Sequence, residues 1–104
     1  MSNYESLVAQ FQEKLKFAPD FKKRIKLIVE DEGDKTIIID ATDRPTTVSY
    51  DVDEDTDVTL TAKLAVFEGL VNGTQDPNMA FMLRKLKIKG SMGVAMRLNS
   101  ILED

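Results

Sequence analysis

The spacing of apolar and polar residues changes along the chain, and each spacing indicates one kind of element. The first apolar residues recur three and four positions apart, which is typical of an amphipathic helix that runs to about Phe17 and stops before Pro19. Ser2 and Glu5 have the spacing of a capping box at its start. The apolar face of this helix comprises Tyr4, Leu7, Val8, Phe11 and Leu15.

Four short runs after this helix are rich in β-branched residues and predict strands. They comprise residues 25–30, 36–40, 47–52 and 57–61. Because the connections between them are short, the four runs favour an antiparallel meander. The second run, residues 36–40, is almost unbroken in apolar residues, so we expect a central strand that is covered on both faces.

A second amphipathic helix is predicted after the fourth strand. Thr61 is expected to be its N-cap, and Asn72 with Gly73 is expected to end it. Its apolar side comprises Leu64, Phe67, Leu70 and Val71. This helix therefore has a continuous apolar stripe with which it can pack on the sheet.

Residues 76–98 predict a short helix, a strand, a glycine turn and a last helix with almost no residues between them. Asp76 is a typical N-cap, and Pro77 suits the first helical position because its missing N–H and its fixed φ cost nothing there. No polar residue interrupts positions 79–83. We therefore expect this short helix to be covered on most sides, in the core or in the wall of a cavity.

A period of two follows in residues 84–89 and predicts a strand with one wet face. Its outward residues are Lys85, Lys87 and Lys89, and its inward residues are Leu86 and Ile88. Gly90 is expected to end this strand in a conformation or a close approach that a side chain cannot share, and Ser91 is expected to cap the last helix. The apolar side of that helix is predicted to be Met92, Ala95, Met96 and Leu98.

The predicted order of elements is helix, four strands, two helices, strand and helix, without repeats, low-complexity segments or linkers. The last strand arrives only after two helices and completes the sheet. We therefore predict an α+β fold with a five-stranded, largely antiparallel sheet covered by helices. The 104 residues are expected to form a single domain, residues 1–104. A domain of this size buries about two-thirds of the surface of its unfolded chain.

The composition narrows the possible chemistry. Because the chain has no Cys and no His, zinc sites and catalysis by Ser-His-Asp or Cys-His groups are excluded within one chain. Acid–base catalysis by Asp, Glu, Lys or Tyr stays open in principle, but no pair of such residues stands out, so we expect the protein not to be an enzyme. The formal net charge of −4 opposes general attraction to nucleic acids and to anionic membranes.

The sequence also shows no recognisable targeting signal. No apolar run is long enough to span a membrane, and no secretory signal opens the chain. The last residues do not resemble a peroxisomal address. A cytoplasmic location is therefore expected.

Two charged stretches are weak candidates for binding sites. The acidic residues 51–57 resemble a cation loop, but the EF-hand register that starts at Asp51 meets Thr56 and Ala62 where glycine and glutamate are needed. The strand of alternating lysines lacks the stacking aromatic residues of nucleic-acid surfaces, and charges are common on edge strands. We therefore predict no metal site and no nucleic-acid partner.

Apolar residues of the last three helices are the remaining candidates for a site. Four of the five methionines lie in this part of the chain. Helical spacing alone favours a simple core, whereas methionine is also the side chain best suited to line a cavity for varied apolar ligands. Composition leaves both interpretations open. The set comprises Phe67, Leu70, Met79, Phe81, Met82, Leu83, Met92 and Met96.

More than a dozen positions in the last third of the chain have a specific residue type and spacing: Phe67, Leu70, Gly73, Asp76, Pro77, Ala80, Phe81, Lys85, Leu86, Lys87, Ile88, Gly90, Ala95 and Leu98. This pattern resembles the signature of the sterol carrier protein 2 (SCP-2) family of lipid-binding domains. One departure is Arg84, since that family usually has a glycine there, which closes the preceding helix in the left-handed conformation. That conformation costs a non-glycine residue about 1 kcal/mol or more, so we expect the helix end to be shaped differently here.

The resemblance implies a function. SCP-2 domains enclose a hydrophobic tunnel between sheet and helices and bind fatty acyl chains, acyl-CoA esters and sterols there, which implies that the eight residues of the set line such a cavity. It further implies a lipid carrier that acts by sequestration, with a lipid or fatty acyl ligand, no cofactor and at most transient membrane contact. The alternatives are an interaction or regulatory module with a filled core and no ligand, or an accessory binding subunit of an acyl-metabolising enzyme. The oligomeric state is left open.

Overall fold

A computed structural model describes residues 3–33, 35–43, 45–52 and 54–103 of the chain. Within these residues the fold is a five-stranded sheet with four α-helices, which confirms the predicted α+β class. A three-residue 3-10 turn, Glu30–Glu32, joins the first two strands. In chain order the elements are α1 (Asn3–Lys16), β1 (Arg24–Val29), β2 (Lys35–Asp40), β3 (Thr47–Tyr50), β4 (Val58–Ala62), α2 (Leu64–Asn72), α3 (Pro77–Met82), β5 (Leu86–Gly90) and α4 (Met92–Glu103).

The sheet has the strand order β3-β2-β1-β4-β5. Three of its four strand pairs are antiparallel, so the prediction of a largely antiparallel sheet is confirmed. The predicted meander is wrong for β4, which pairs with β1 in parallel, with Ile25 opposite Val58 and Leu27 opposite Leu60. Because β4 pairs with β1 on one edge and with β5 on the other, it lies in the interior of the sheet, where its apolar side chains join the core.

One face of the sheet packs against the helices and forms the core. Alternate residues of β1 and β4, among them Leu27 and Leu60, are buried there with Phe11 of α1 and Leu98 of α4. On β2 three consecutive isoleucines, residues 37–39, are buried. Ile37 and Ile39 belong to the core, whereas on the other face only Ile38 is buried and Thr36 and Asp40 are half-buried, so the predicted cover on both faces holds at Ile38 alone. The central strand of the five is β1, however, and β2 lies next to it.

The helix α1 has the predicted apolar face. The side chains of Leu7, Val8, Phe11 and Leu15 are all buried. The helix ends at Lys16, one residue before the predicted end. Ser2 and the side chain of Tyr4 lie outside the described residues, so the predicted capping box is not addressed.

The helix α2 has the predicted apolar stripe, since Leu64, Phe67, Leu70 and Val71 are all buried. Its predicted end is confirmed, because Gly73 is the C-cap and has a left-handed φ of 82°. The prediction of Thr61 as N-cap is wrong, because Thr61 belongs to β4 and Lys63 occupies the cap position. The backbone N–H of Leu64 donates instead to Oδ1 of Asp31 at 2.8 Å, from the turn between β1 and β2.

A helix must be long and apolar to cross a membrane. No helix in the described part of the chain combines the length and the apolar character that a membrane crossing needs.

Candidate functional site

The short helix α3 begins as its sequence predicts. Oδ1 of Asp76 accepts a hydrogen bond of 2.8 Å from the backbone N–H of Asn78, and Pro77 takes the first helical position. Both features satisfy or remove N–H groups that would otherwise lack a partner at the helix start. The buried residues of α3 are Pro77 and Ala80, one turn apart, and the helix packs against β5.

The expectation that α3 is covered on most sides is wrong. The side chains of Met79, Phe81, Met82 and Leu83 are between 45% and 74% exposed. The physical reason is that a six-residue helix packed through one narrow contact can bury only the residues on that side. An uninterrupted apolar run on such a helix therefore leaves most of its members in solvent.

The end of α3 is closed by a residue that rarely takes this conformation. Arg84 has a φ of 60°, in the left-handed region. Its N–H donates to the carbonyl of Phe81 at 3.1 Å, and the N–H of Lys85 donates to the carbonyl of Ala80 at 2.8 Å. These two bonds form a Schellman motif, the ending that glycine usually provides. The expected difference in shape is therefore wrong: Arg84 adopts the glycine conformation.

The strand β5 alternates as predicted, with Leu86 buried, Ile88 half-buried, and Lys87 and Lys89 exposed. Its last residue, Gly90, has a φ of 106°, and a Cβ added there would lie 2.7 Å from the carbonyl oxygen of Asp57. Both the conformation and the close approach exclude a side chain without strain. The predicted role of this glycine is confirmed.

The helix α4 is capped as predicted, because Oγ of Ser91 accepts a hydrogen bond of 3.2 Å from the N–H of Val94. Its predicted apolar side divides in two. Ala95 and Leu98 are buried, whereas Met92 and Met96, four residues apart, are about half to two-thirds exposed, at 48% and 66%. The two methionines are therefore only partly covered, unlike Ala95 and Leu98 on the same helix.

The eight residues of the predicted set thus fall into two groups. Phe67 and Leu70 belong to the core. The other six are exposed, so a simple core is the wrong interpretation for them. They lie on α3, on the residue after it and on α4, and both helices pack against the edge strand β5 between them. We name these six the exposed apolar set: Met79, Phe81, Met82, Leu83, Met92 and Met96.

The charge around this set differs from that of the rest of the chain. Residues 77–102 contain five of the fourteen basic residues and none of the eighteen acidic ones. Next to the exposed apolar set, Arg84 and Lys85 share an open pocket of about 440 Å³ with Lys63. The sequence predictions missed this pocket, although the long interval without a carboxylate was a visible signal.

Carboxyl groups with altered pKa lie at the other end of the sheet. The Thr42 hydroxyl, with a further contribution from Arg24, holds the pKa of Asp40 below its usual value. Lys35, which lies 2.8 Å from Asp51, lowers the pKa of that carboxyl. Each shift has an ion pair as part of its cause, Arg24 with Asp40 and Lys35 with Asp51, and structural ion pairs of this kind alter pKa values without any catalytic role.

The acidic residues 51–57 are partly used in the fold. Oδ2 of Asp57 accepts a hydrogen bond of 2.9 Å from the backbone N–H of Arg24. Within the described ranges, no three His, Cys, Asp or Glu residues are grouped as a metal site would require. Asp53 lies outside those ranges. That this stretch does not bind calcium stays a prediction.

Comparisons with known proteins identify a family for most of the chain. The sequence profile of the SCP-2 sterol transfer family matches residues 5–103. Sterol carrier protein 2 from Rattus norvegicus is 36% identical over 66 residues, which cover 64% of this chain and 12% of that protein. The matched part of the chain therefore spans about an eighth of the rat protein.

Solved structures show the same fold. Sterol carrier protein 2-like 2 from Aedes aegypti superposes with a TM-score of 0.79 at 18% identity, and 94% of each chain is covered. The palmitated SCP2L2 from Aedes aegypti superposes with a TM-score of 0.77 at 20% identity, and covers 100% of this chain and 96% of that one. At these identities the likeness concerns the fold alone.

Proposed function

The chain belongs to the SCP-2 sterol transfer family, and on that premise we propose that it binds a long fatty acyl chain and carries it by burial, without chemistry. The proposed site is the exposed apolar set, whose two helices, α3 and α4, both contact the edge strand β5. In this proposal the ligand covers side chains of α3 and α4 that the protein itself leaves in contact with water. Phe67 and Leu70 are buried in the core and are not part of this surface.

The observation that carries the proposal is the exposure of six large apolar side chains within eighteen residues, 79–96. Soluble domains expose single apolar residues routinely, but grouped ones usually mark a binding surface. Four of the six are methionines, whose flexible and polarizable side chains adapt to ligands of differing shape. The grouping and the residue type therefore both favour an apolar ligand.

The hydrophobic effect supplies a large part of the free energy of such binding. Each methylene group moved out of water contributes about 0.8 kcal/mol, so a chain of about twelve carbons has about 10 kcal/mol available before the costs of association. Micromolar affinity corresponds to about 8 kcal/mol. Because the costs of association are subtracted from the first figure, micromolar affinity requires a longer chain or additional polar contacts. The palmitated state of the Aedes aegypti SCP2L2 supports the choice of an acyl chain.

The first experiment measures the stability of delipidated protein with and without palmitate. A ligand that binds only the folded state stabilises it by mass action, so the melting temperature should rise by several degrees and should increase with ligand concentration. Met82→Asp and Phe81→Asp should weaken binding about tenfold or more, because each places a charge on the apolar contact surface. Mass spectrometry of lipids copurified with the wild-type protein provides an independent reading.

A matched control separates this site from general surface hydrophobicity. Phe17 is 81% exposed and lies at the end of α1, outside the exposed apolar set. Phe17→Asp makes the same change as Phe81→Asp, at an exposed phenylalanine outside the proposed site, and should leave palmitate binding unchanged. The proposal fails if the melting temperature of delipidated protein is indifferent to fatty acids, acyl-CoA esters and sterols alike. It also fails if Phe17→Asp and Met82→Asp weaken binding equally.

A second candidate function is an accessory role beside an acyl-metabolising enzyme. The observation that favours it concerns a relative: the matched residues make up only 12% of the rat sterol carrier protein 2, so in that protein they belong to a much longer chain. In that role the domain would bind the chain of a substrate on which another protein acts. Copurification of a partner that is lost in Met82→Asp, but retained in Phe17→Asp, would support this role.

A further inference from the structure

A basic pocket lies directly beside α3. It has a volume of about 440 Å³ and is lined by Glu30, Lys63, Ala65, Val66, Gln75, Arg84 and Lys85. Three of these seven residues are cations. Because Arg84 and Lys85 follow Leu83 without interruption, the pocket adjoins the α3 part of the exposed apolar set.

The three cations of the basic pocket have no carboxylate partner within the described part of the chain. Among the residues that the structure describes, neither Lys63, Arg84 nor Lys85 forms an ion pair. The one carboxylate in the lining, Glu30, lies 3.9 Å from Lys87. The nearby Asp31 accepts the hydrogen bond from Leu64 that starts α2. Positive charge therefore exceeds negative charge in this pocket, although the whole chain is acidic.

The backbone of Arg84 gives a second, independent indication. Its left-handed φ of 60° strains any residue with a side chain, and glycine would avoid the strain. The chain uses glycine for this purpose at the end of α2, where Gly73 has a φ of 82°. Strained backbone that persists where an easy alternative exists is found most often at binding and catalytic sites. The arginine side chain at this position is therefore a candidate for ligand contact.

We propose that the basic pocket binds the anionic head group, a phosphate or a carboxylate, of an amphiphile whose acyl chain lies on the exposed apolar set. This inference rests on the proposed function and adds the class of ligand: an anionic amphiphile is preferred over a neutral one with the same chain. The guanidinium of Arg84 supplies paired N–H donors suited to either oxyanion, and Lys63 and Lys85 supply additional charge. The head group would thus be held at the end of α3 that carries Leu83.

The experiment compares ligands with one chain and different head groups. Palmitate, palmitoyl lysophosphatidic acid and monopalmitoylglycerol are titrated into delipidated protein below their critical micelle concentrations. The two anionic ligands should bind about fivefold or more tightly than the neutral one, the effect of roughly one favourable ion pair. Higher salt should reduce this preference, because it screens charges at an open pocket.

Variants at Arg84 test the pocket itself. Arg84→Gly and Arg84→Ala should both weaken binding of the anionic ligands about fivefold, with less than a twofold effect on monopalmitoylglycerol. Arg84→Lys should restore part of the preference. Lys16→Gln removes an exposed cation of α1, which lies 3.3 Å from Glu13, and should change neither affinity. Melting temperatures of the free variants establish that each is folded.

The possible outcomes distinguish the head-group site from the acyl site. Equal affinities for the anionic and neutral ligands, unchanged in Arg84→Gly, would overturn the head-group site and leave the acyl site standing. Failure of all three ligands to bind would overturn the proposed function together with this inference. Inorganic phosphate that binds as tightly as lysophosphatidic acid would also overturn it, since the pocket would then be an anion site that needs no lipid chain.

Discussion

Two neighbouring helices of this molecule have apolar sequences and opposite surroundings. In α2 the apolar residues Leu64, Phe67, Leu70 and Val71 are buried. In α3 only Pro77 and Ala80 are buried, and the large apolar side chains are exposed. At the start of each helix a backbone N–H donates a hydrogen bond of 2.8 Å to an aspartate carboxylate, which is Asp31 for α2 and Asp76 for α3. The start of the helix therefore does not explain the difference in exposure.

The arrangement of the apolar residues explains it better than their number. In α2 they recur three and four positions apart, with Glu68 between them and Asn72 after them, so one face can be buried and the other can be wet. In α3 the apolar residues are consecutive, and a single packing contact covers only every third position. An apolar run without a stripe therefore indicates a surface that needs a further partner, here proposed to be a lipid.

The largest expected effect concerns a matched pair of phenylalanines. Phe67 of α2 is fully buried and Phe81 of α3 is 45% exposed. Phe67→Ala should reduce the free energy of unfolding by about 4 kcal/mol, because it removes buried surface and leaves a cavity. Phe81→Ala should cost less than about 1 kcal/mol in the absence of ligand. Urea unfolding of both delipidated variants, compared by midpoint at constant slope, measures the difference.

The comparison would be wrong if the two variants lost equal stability. Such a result would mean that α3 is packed in solution as tightly as α2 and that the exposed apolar set is closed. Phe17→Ala provides the baseline for an exposed phenylalanine outside both helices, at 81% exposure. Its midpoint should match that of the wild type within error.

The second effect extends the comparison to the glycines near these helices. Gly73 and Gly90 both have positive φ, but a Cβ would meet no atom within 4 Å at Gly73 and a backbone oxygen at 2.7 Å at Gly90. Gly90→Val should therefore cost about 3 kcal/mol, from conformational strain plus the clash with the neighbouring strand. Gly73→Ala should cost about 1 kcal/mol, from conformation alone. A Gly90→Val protein that unfolds at the wild-type urea midpoint would contradict the turn geometry.

Much of this fold follows from local sequence. The stripe of α2, the buried run of β2, the Asp76 cap and the turn at Gly90 each depend on residues a few positions apart, and each was predicted. The features that were not predicted depend on distant residues. The partner of Leu64 is Asp31, 33 residues earlier. No local pattern identifies such a contact, because it exists only after β4 has paired with β1.

The site was predicted less completely than the fold, for a physical reason. Periodicity shows which residues share a helix face, but it does not show how many neighbours a six-residue helix will have. The eight residues were therefore selected correctly as a group of apolar side chains, while their division into two core and six exposed members required the structure. Their binding of lipid stays a prediction, as does the single-domain assignment.

The smallest expected effect tests the two helix ends against each other. Arg84→Gly relieves a left-handed strain of about 1–2 kcal/mol but adds about 0.5–1 kcal/mol of backbone entropy to the unfolded chain. The net gain should be about 0.5–1 kcal/mol, or a rise of a few degrees in melting temperature. Arg84→Ala keeps the strain and should show no gain, which separates backbone relief from loss of the side chain. Gly73→Arg, the reverse change at the end of α2, should cost about 1 kcal/mol. If Arg84→Gly were instead less stable than the wild type without ligand, contacts of the arginine within the protein would outweigh its strain, and the case for a ligand at that side chain would be lost.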